Sequence, residues 1–184
     1  VLEEIATERL VLRGWTARDH EALAAINADP EVMRWIGSGR VLGRGLTDDL
    51  IARFEGEWRE RGFGLWAVSW RDDPARELLG FCGLTAPAFL PEVLPAAEVG
   101  WRLARGAWGR GVATEAARAA LAFGFAPEPG SGLREIVALV AEENARSLRV
   151  CAKLGMTPRP DRYVASARRR VRVFGVLAEE PGER

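Results

Sequence analysis

The stretch from Glu98 to Ala117, EVGWRLARGAWGRGVATEAA, holds the most legible chemistry in the chain. A strand-like run leads into a loop bearing Gly106, Gly109 and Gly111, flanked by Arg105 and Arg110, and then directly into a helical pattern. Glycines let the backbone approach a ligand closely. The first amides of a helix lack internal partners and, with the helix dipole, suit a phosphate or pyrophosphate. Two arginines could add charge-assisted contacts. The plain alternative is a glycine-rich turn with solvated arginines. A phosphate loop ending in Gly-Lys-Ser/Thr is excluded, because the only lysine is Lys153, far downstream. Gly109-Arg110-Gly111-Val112-Ala113-Thr114 approaches the dinucleotide fingerprint, with Glu135 in the range of a ribose-binding acid. Glu135 precedes the apolar run EIVALV, however, where that fold needs the acid at its end.

Composition narrows the setting. With 26 basic and 26 acidic residues in 184, the formal net charge is +0, so no global attraction to nucleic acid or anionic membrane is expected. Hydrophobic residues make up 48%, enough for one core, and residues 1–184 read as a single domain. The first residues lack the pattern of a signal peptide, and no run approaches the ~20 apolar residues of a membrane span. A soluble, cytoplasmic protein is the expectation. His20 is the only histidine and the two cysteines, Cys82 and Cys151, lie far apart, so neither a metal site nor a disulfide framework is expected. There is no glutamine, and Asn27 and Asn144 are the only asparagines. An asparagine is a rare choice here, which draws attention to Asn144. Thermophily and a GC-rich coding bias account equally well for that skew.

Periodicity supplies the elements that must position these residues. Arg9–Trp15 reads as a first strand and Ala17–Asn27 as a helix, with a further helical turn over Glu31–Ile36. Thr47 is expected to cap a helix from Asp48 to Arg61, ended by Gly62. Gly64–Trp70 and Leu78–Leu84 form a hairpin, and Ala86–Pro95 is a proline-rich loop. Ala97–Leu103 is a strand, Val112–Phe125 a helix, Glu135–Val140 a strand and Asn144–Leu154 a helix stopped by Gly155. Met156–Thr157 and Val171–Leu177 are short final strands. The class is α+β, or mixed α/β, around one sheet.

The segment Trp108-Gly109-Arg110-Gly111-Val112-Ala113-Thr114-Glu115-Ala116, following Glu98-Val99-Gly100-Trp101-Arg102-Leu103, resembles the acyl-CoA-binding motif of the GNAT N-acetyltransferases. It resembles more closely the branch that acetylates ribosomal-protein N-termini (RimJ/RimL-like). In the pattern Gln/Arg-x-x-Gly-x-Gly/Ala, Gly111 and Ala113 match the last two positions, and Trp108 replaces Gln/Arg. Asn144–Met156 resembles the branch's second signature, and Ala6–Arg13 with Asp29–Met33 its N-terminal region.

The resemblance implies a GNAT-type fold, a single splayed, mostly antiparallel sheet flanked by helices, that holds acetyl-CoA between Ala97–Leu103 and Glu135–Val140. Backbone groups around Leu103 and Ala104 would pair with pantetheine. Amides from Trp108 through Gly109, Arg110, Gly111, Val112 and Ala113 to Thr114 would hold the pyrophosphate, with Arg105 beside them. Asn144 would bond the pantetheine arm while also capping its helix, and Ser147 would face the same arm. No metal takes part. Glu98 is the first choice for a base, ahead of Glu142 and Glu143. Many relatives place a tyrosine seven residues after the asparagine, to protonate the thiolate. Cys151 stands there instead, better read as a buried structural thiol. Ser147 or water is an equal candidate, and Tyr163 has no motif support. The acceptor is an amine, either a protein N-terminus or a small molecule, approached past Trp35, Trp101 or Trp108. A CoA-binding module without turnover is the non-enzymatic alternative. The basic run Arg168–Arg172 reads as a solvated strand face, membrane and direct nucleic-acid binding are not expected, and a homodimer is compatible with the sequence.

Overall fold

The computed structural model describes residues 4–87, 96–128, 130–159, 164–166 and 169–178. The chain runs through β1 (Ile5–Ala6), β2 (Leu10–Arg13), α1 (Asp19–Asn27), α2 (Pro30–Met33), α3 (Arg44–Arg61), β3 (Leu65–Trp70), β4 (Gly80–Thr85) and β5 (Ala97–Leu103). After a 3-10 turn at Arg105–Ala107 come α4 (Val112–Phe125), β6 (Glu135–Ala141), α5 (Ala145–Lys153), β7 (Thr157–Pro158), β8 (Val164–Ser166) and β9 (Arg169–Leu177). The described strands form one sheet in the order β1-β2-β3-β4-β5-β6-β9-β7, with β8 on β9. Neighbours are antiparallel except β5 and β6, which pair in parallel only at Ala97–Ile136 and Glu98–Val137. Beyond Glu98 the two arms of the sheet separate, as expected for a splayed, mostly antiparallel α+β fold.

One face of the sheet carries α4. Its small residues decide how closely it packs: Ala116, Ala117 and Ala120 are fully buried, and a Cβ on Gly124 would come within 2.6 Å of Ile136 Cδ1. The other face is covered by α1–α3, with Leu23, Ile26, Val32, Ile51 and Phe54 packed on Leu65 and Phe81.

The boundaries of β5 and α4 match the periodicity. The start of α3 does not. That helix begins at Arg44 behind Gly43, so Thr47 is not its cap. Thr47 is fully buried inside the first turn, donates its hydroxyl to Gly43 O (3.1 Å) and accepts from Asn27 Nδ2 (3.0 Å). The partner that claims this hydroxyl lies on α1, out of reach of local pattern. Strands β1 and β8 were not anticipated either. Most of the proline-rich loop, Tyr163 and Arg168 lie outside the described residues.

A buried ion pair fastens α1 to the first arm. Arg13 on β2 donates to both oxygens of Asp19 at 2.7 and 2.8 Å, and also to Ser69 Oγ, Gly14 O and Arg76 O. Against the cost of burial, bonds from Arg13 and Thr16 hold the Asp19 carboxyl below its usual range. Removing one partner of such a pair strands the other charge, so Asp19→Ala lowers the unfolding free energy by about 3 kcal/mol near neutral pH. A depressed carboxyl stabilises fully above its unfolded pKa and loses that advantage as pH falls through the folded value. The gap to wild type therefore narrows in denaturant titrations below about pH 4; a gap that is constant with pH contradicts this account.

Candidate active site

The gap between β5 and β6 opens a cleft of about 250 Å³. Its β5 wall presents backbone. Ala104 N–H donates to Leu79 O (2.9 Å), which fixes the phase of the β4–β5 ladder: Leu103 and Trp101, opposite Gly80 and Cys82, occupy non-hydrogen-bonded positions. Their peptide groups turn away from β4, into a gap where β6 no longer pairs. The Leu103 carbonyl accepts from Trp108 Nε1 (2.9 Å), and the Trp101 indole reaches across to Ser147 Oγ (3.3 Å).

At one end stands the N-terminus of α4. Gly109 and Gly111 both have left-handed backbone, φ 73° and 81°, a region that L side chains enter at a cost. Gly111 is the N-cap and brings no side chain to its helix, so the amides of Val112, Ala113 and Thr114 stay open to an anion. The loop is held from behind. Glu115, in the first turn of α4, accepts from Thr7 Oγ1 (2.7 Å) and from Arg9 N and Nε, while Arg9 Nη1 donates to Arg110 O (3.0 Å). These bonds outweigh the desolvation of Glu115 and keep its carboxyl below the usual range.

The opposite wall is α5. Asn144 caps it, accepting from Ser147 N (3.2 Å) and donating Nδ2 to Ser147 Oγ (3.0 Å). Two N–H donors thus converge on Ser147 Oγ, which leaves the hydroxyl proton free to point elsewhere. Arg146, Arg149 and Lys153 continue this wall, with Arg146 4.6 Å over the Trp108 ring.

Of the residues expected at a cofactor, Leu103, Trp108, Gly109, Gly111, Val112, Ala113, Thr114, Asn144 and Ser147 line the cleft. Ala104, Arg105 and Arg110 do not. Ala104 spends its amide on Leu79, Arg105 pairs with Asp29 at 2.6 Å, and Arg110 lies 4.5 Å over the Trp70 ring. Each is drawn off by a partner remote in sequence. Cys151 is also outside the cleft: it is fully buried in the core, and burial pushes its thiol up to about 12. Glu143 is exposed and Glu142 lies 4.0 Å from Arg170. His20 bonds Asp48 (2.6 Å), and Trp35 lies under Arg34, both away from the cleft.

Sequence reasoning missed the basic side of α5. Its signal was present: Arg146, Arg149 and Lys153 recur at helical spacing on the helix opened by Asn144.

Glu98, half-buried on β5, is not among the residues that line the cleft, and its carboxylate has no hydrogen-bond partner among the described residues. Burial, with the nearby charge of Glu57, pushes its carboxyl up to about 8. That value suits a group that accepts a proton near neutrality.

The acetyltransferase (GNAT) domain model matches residues 9–157. The uncharacterised protein YkkB of Bacillus subtilis is 33% identical over 159 residues, covering 83% of this chain and 84% of its own. The uncharacterised N-acetyltransferase YoaA of the same organism is 30% identical, covering 82% and 81%. A crystal structure of an acetyltransferase from Agrobacterium tumefaciens superposes with a TM-score of 0.80 at 26% identity, over 96% of this chain and 95% of that one.

The loop geometry gives a direct test. Gly111→Val forces a β-branched residue into left-handed backbone, at a cost of about 1–2 kcal/mol, and moves the first α4 amides. Its Cβ would also come within 3.2 Å of Arg9 Nη2. Calorimetry is expected to show CoA affinity reduced by more than about tenfold, with the variant folded by circular dichroism; undiminished affinity removes the loop from the binding site.

Proposed function

We infer, for a chain that belongs to the GNAT acetyltransferase family and is an N-acetyltransferase, that acetyl-CoA lies between β5 and β6 and gives its acetyl group to a primary amine. The observation that carries this is the uncapped α4 N-terminus at the end of a cleft walled by outward-turned β5 backbone. The residues fit that co-substrate. Amides of Val112–Thr114 and the glycine loop suit its pyrophosphate. Arg146, Arg149 and Lys153 suit its further phosphate, and the Trp101 and Leu103 peptide groups suit the amides of pantetheine.

Positioning is the main contribution to rate. The amine nitrogen attacks the thioester carbonyl carbon, a β5 amide stabilises the oxyanion, and the carbon–sulfur bond breaks. Glu98 accepts the proton that the amine sheds. The departing thiolate takes a proton from the Ser147 hydroxyl, which is replenished from solvent. The α-amine of a protein N-terminus is the acceptor favoured by the branch-like motifs at Ala6–Arg13 and Asn144–Met156. A small-molecule amine is the second reading.

Titration of purified protein with acetyl-CoA in a calorimeter is the first test; no binding removes the assignment. Because the base must be deprotonated, turnover at saturating acetyl-CoA rises with pH to half its plateau near 8, the value to which Glu98 is raised. Glu98→Gln is expected to abolish that limb and lower kcat by about a hundredfold. An unchanged profile would assign the proton to another group. Ser147→Ala is expected to lower kcat about tenfold, since water replaces a lost acid only in part; thiol release at saturating substrates reads this, and a full kcat excludes Ser147 as donor.

A further inference from the structure

Two charged side chains on β5 lack a counter-charge. Glu98 and Arg102, four residues apart, project from the same face of the strand, the one covered by α1 and α3. Arg102 lies 5.1 Å over the ring of Phe81, and Glu57 of α3 accepts from Thr85, the residue opposite Glu98. Between them stands Gly100, where an added Cβ would meet no atom of the described residues within 4 Å. The strand therefore carries an open floor between acid and guanidinium, their Cα atoms about 13 Å apart at 3.3 Å per residue.

Neither group is satisfied by the fold. Among the described residues, the Glu98 carboxylate has no hydrogen-bond partner and the Arg102 guanidinium has one, the neutral Oδ1 of Asn27 at 2.5 Å. Arg102 Nε is buried without a partner. Arg13 is the contrast: that guanidinium, more deeply buried, has both oxygens of Asp19, a serine and two carbonyls. A buried charge without a counter-ion is costly, and burial, with Arg53 nearby, holds Arg102 down at about 10. Its direction is nevertheless fixed. Asn27 is fully buried and donates Nδ2 to Thr47, so its carbonyl oxygen is aimed at Arg102 Nη1. That leaves Nη2 as the donor not enclosed by the protein, with the enclosed Nε parallel to it on the same edge, an arrangement matched to a carboxylate. Arg102 lines the cleft beside Val32 and Ile36, open to a ligand from the α2 side.

We propose that the acceptor is an amine carrying a carboxylate a few bonds away, held by its carboxylate on the free edge of Arg102 and by its amine toward Glu98, across Gly100. The proposal rests on the N-acetyltransferase reading and narrows its substrate. It makes Arg102 a specificity residue and Asn27 the residue that orients it. Two sources carry this chemistry: a free amino acid, and a peptide whose first residue is aspartate or glutamate.

Matched acceptors test it. Thiol release from acetyl-CoA is measured with free amino acids against their amides, and with tripeptides beginning Asp or Glu against those beginning Asn or Gln. The wild-type enzyme is expected to favour the carboxylate member of one series by about tenfold or more in kcat/KM, mainly through KM. The series that shows the preference identifies the source. Arg102→Met brings the ratio toward one, and Arg102→Lys, which keeps the charge and loses the fork, retains part of it. A merely structural arginine would lower both members of a pair alike. A wild-type ratio near one, a preference for diamines, or no acetylation of any carboxylate-bearing amine overturns the proposal. So does a preference that survives in Arg102→Met. Acetyl-CoA binding is measured on the same sample. Binding without carboxylate preference defeats this proposal alone, whereas absence of binding defeats the reading beneath it as well.

Discussion

Strands β5 and β6 share two residue pairs, Ala97–Ile136 and Glu98–Val137, and then part. Each keeps a full antiparallel ladder with its other neighbour, six pairs to β4 and seven to β9, so both edges of the gap are held rigid from outside. A sheet interrupted in this way leaves peptide groups that the fold does not satisfy, and unpaired peptide groups are stable only where water or a ligand reaches them. The outward phase of Trp101 and Leu103 follows from the ladder with β4 and needs no further side chain to impose it. The α4 N-terminus and the α5 wall then flank a slot whose hydrogen-bonding pattern is already set by backbone.

Holding the glycine loop at that slot is a task for residues far away in the chain. A loop with two left-handed glycines has little local preference to stabilise it. Thr7 and Arg9 reach Glu115 and the Arg110 carbonyl from the N-terminal segment, and that segment joins the sheet through β1 and β2. Behind the loop, the alanine face of α4 and the close approach at Gly124 seat the helix directly on the sheet. The N-terminal end of α4 is therefore fixed at both sides, by charge in front and by small-residue packing behind.

This division explains what could be read from sequence and what could not. β5, α4 and the cap at Asn144 were legible because alternation, helical period and capping preference are local properties. The left-handed turns of the glycine loop were legible because glycine spacing states a backbone requirement. The failures share a cause. Thr47 looked like a cap until Asn27 claimed its hydroxyl; Arg105 and Arg110 looked free until Asp29 and Trp70 took them; the register that turns Leu103 into the gap and Ala104 out of it depends on Leu79. In each case the deciding partner lies 20 or more residues away, and no local spacing encodes it.

The two rare asparagines each orient a residue that lines the cleft, one from either side. Asn144 orients Ser147 on the α5 wall, and Asn27 orients Arg102 on the α1 side. An amide suits both tasks, since it donates from one atom and accepts on the other without adding charge. At each place it fixes the direction of a neighbour and leaves that neighbour incompletely satisfied: a hydroxyl proton at Ser147, a guanidinium edge at Arg102. Arg13 shows the opposite arrangement, a guanidinium with five hydrogen bonds. Stability alone would favour satisfying the other two groups as well, because an unsatisfied buried polar group costs more than a paired one returns. Among the described residues Glu57 Oε2 and Ser131 Oγ are also unpaired, but Arg102 and Ser147 line the cleft, so there a bound molecule, as in the reaction proposed above, would be able to complete the hydrogen bonds.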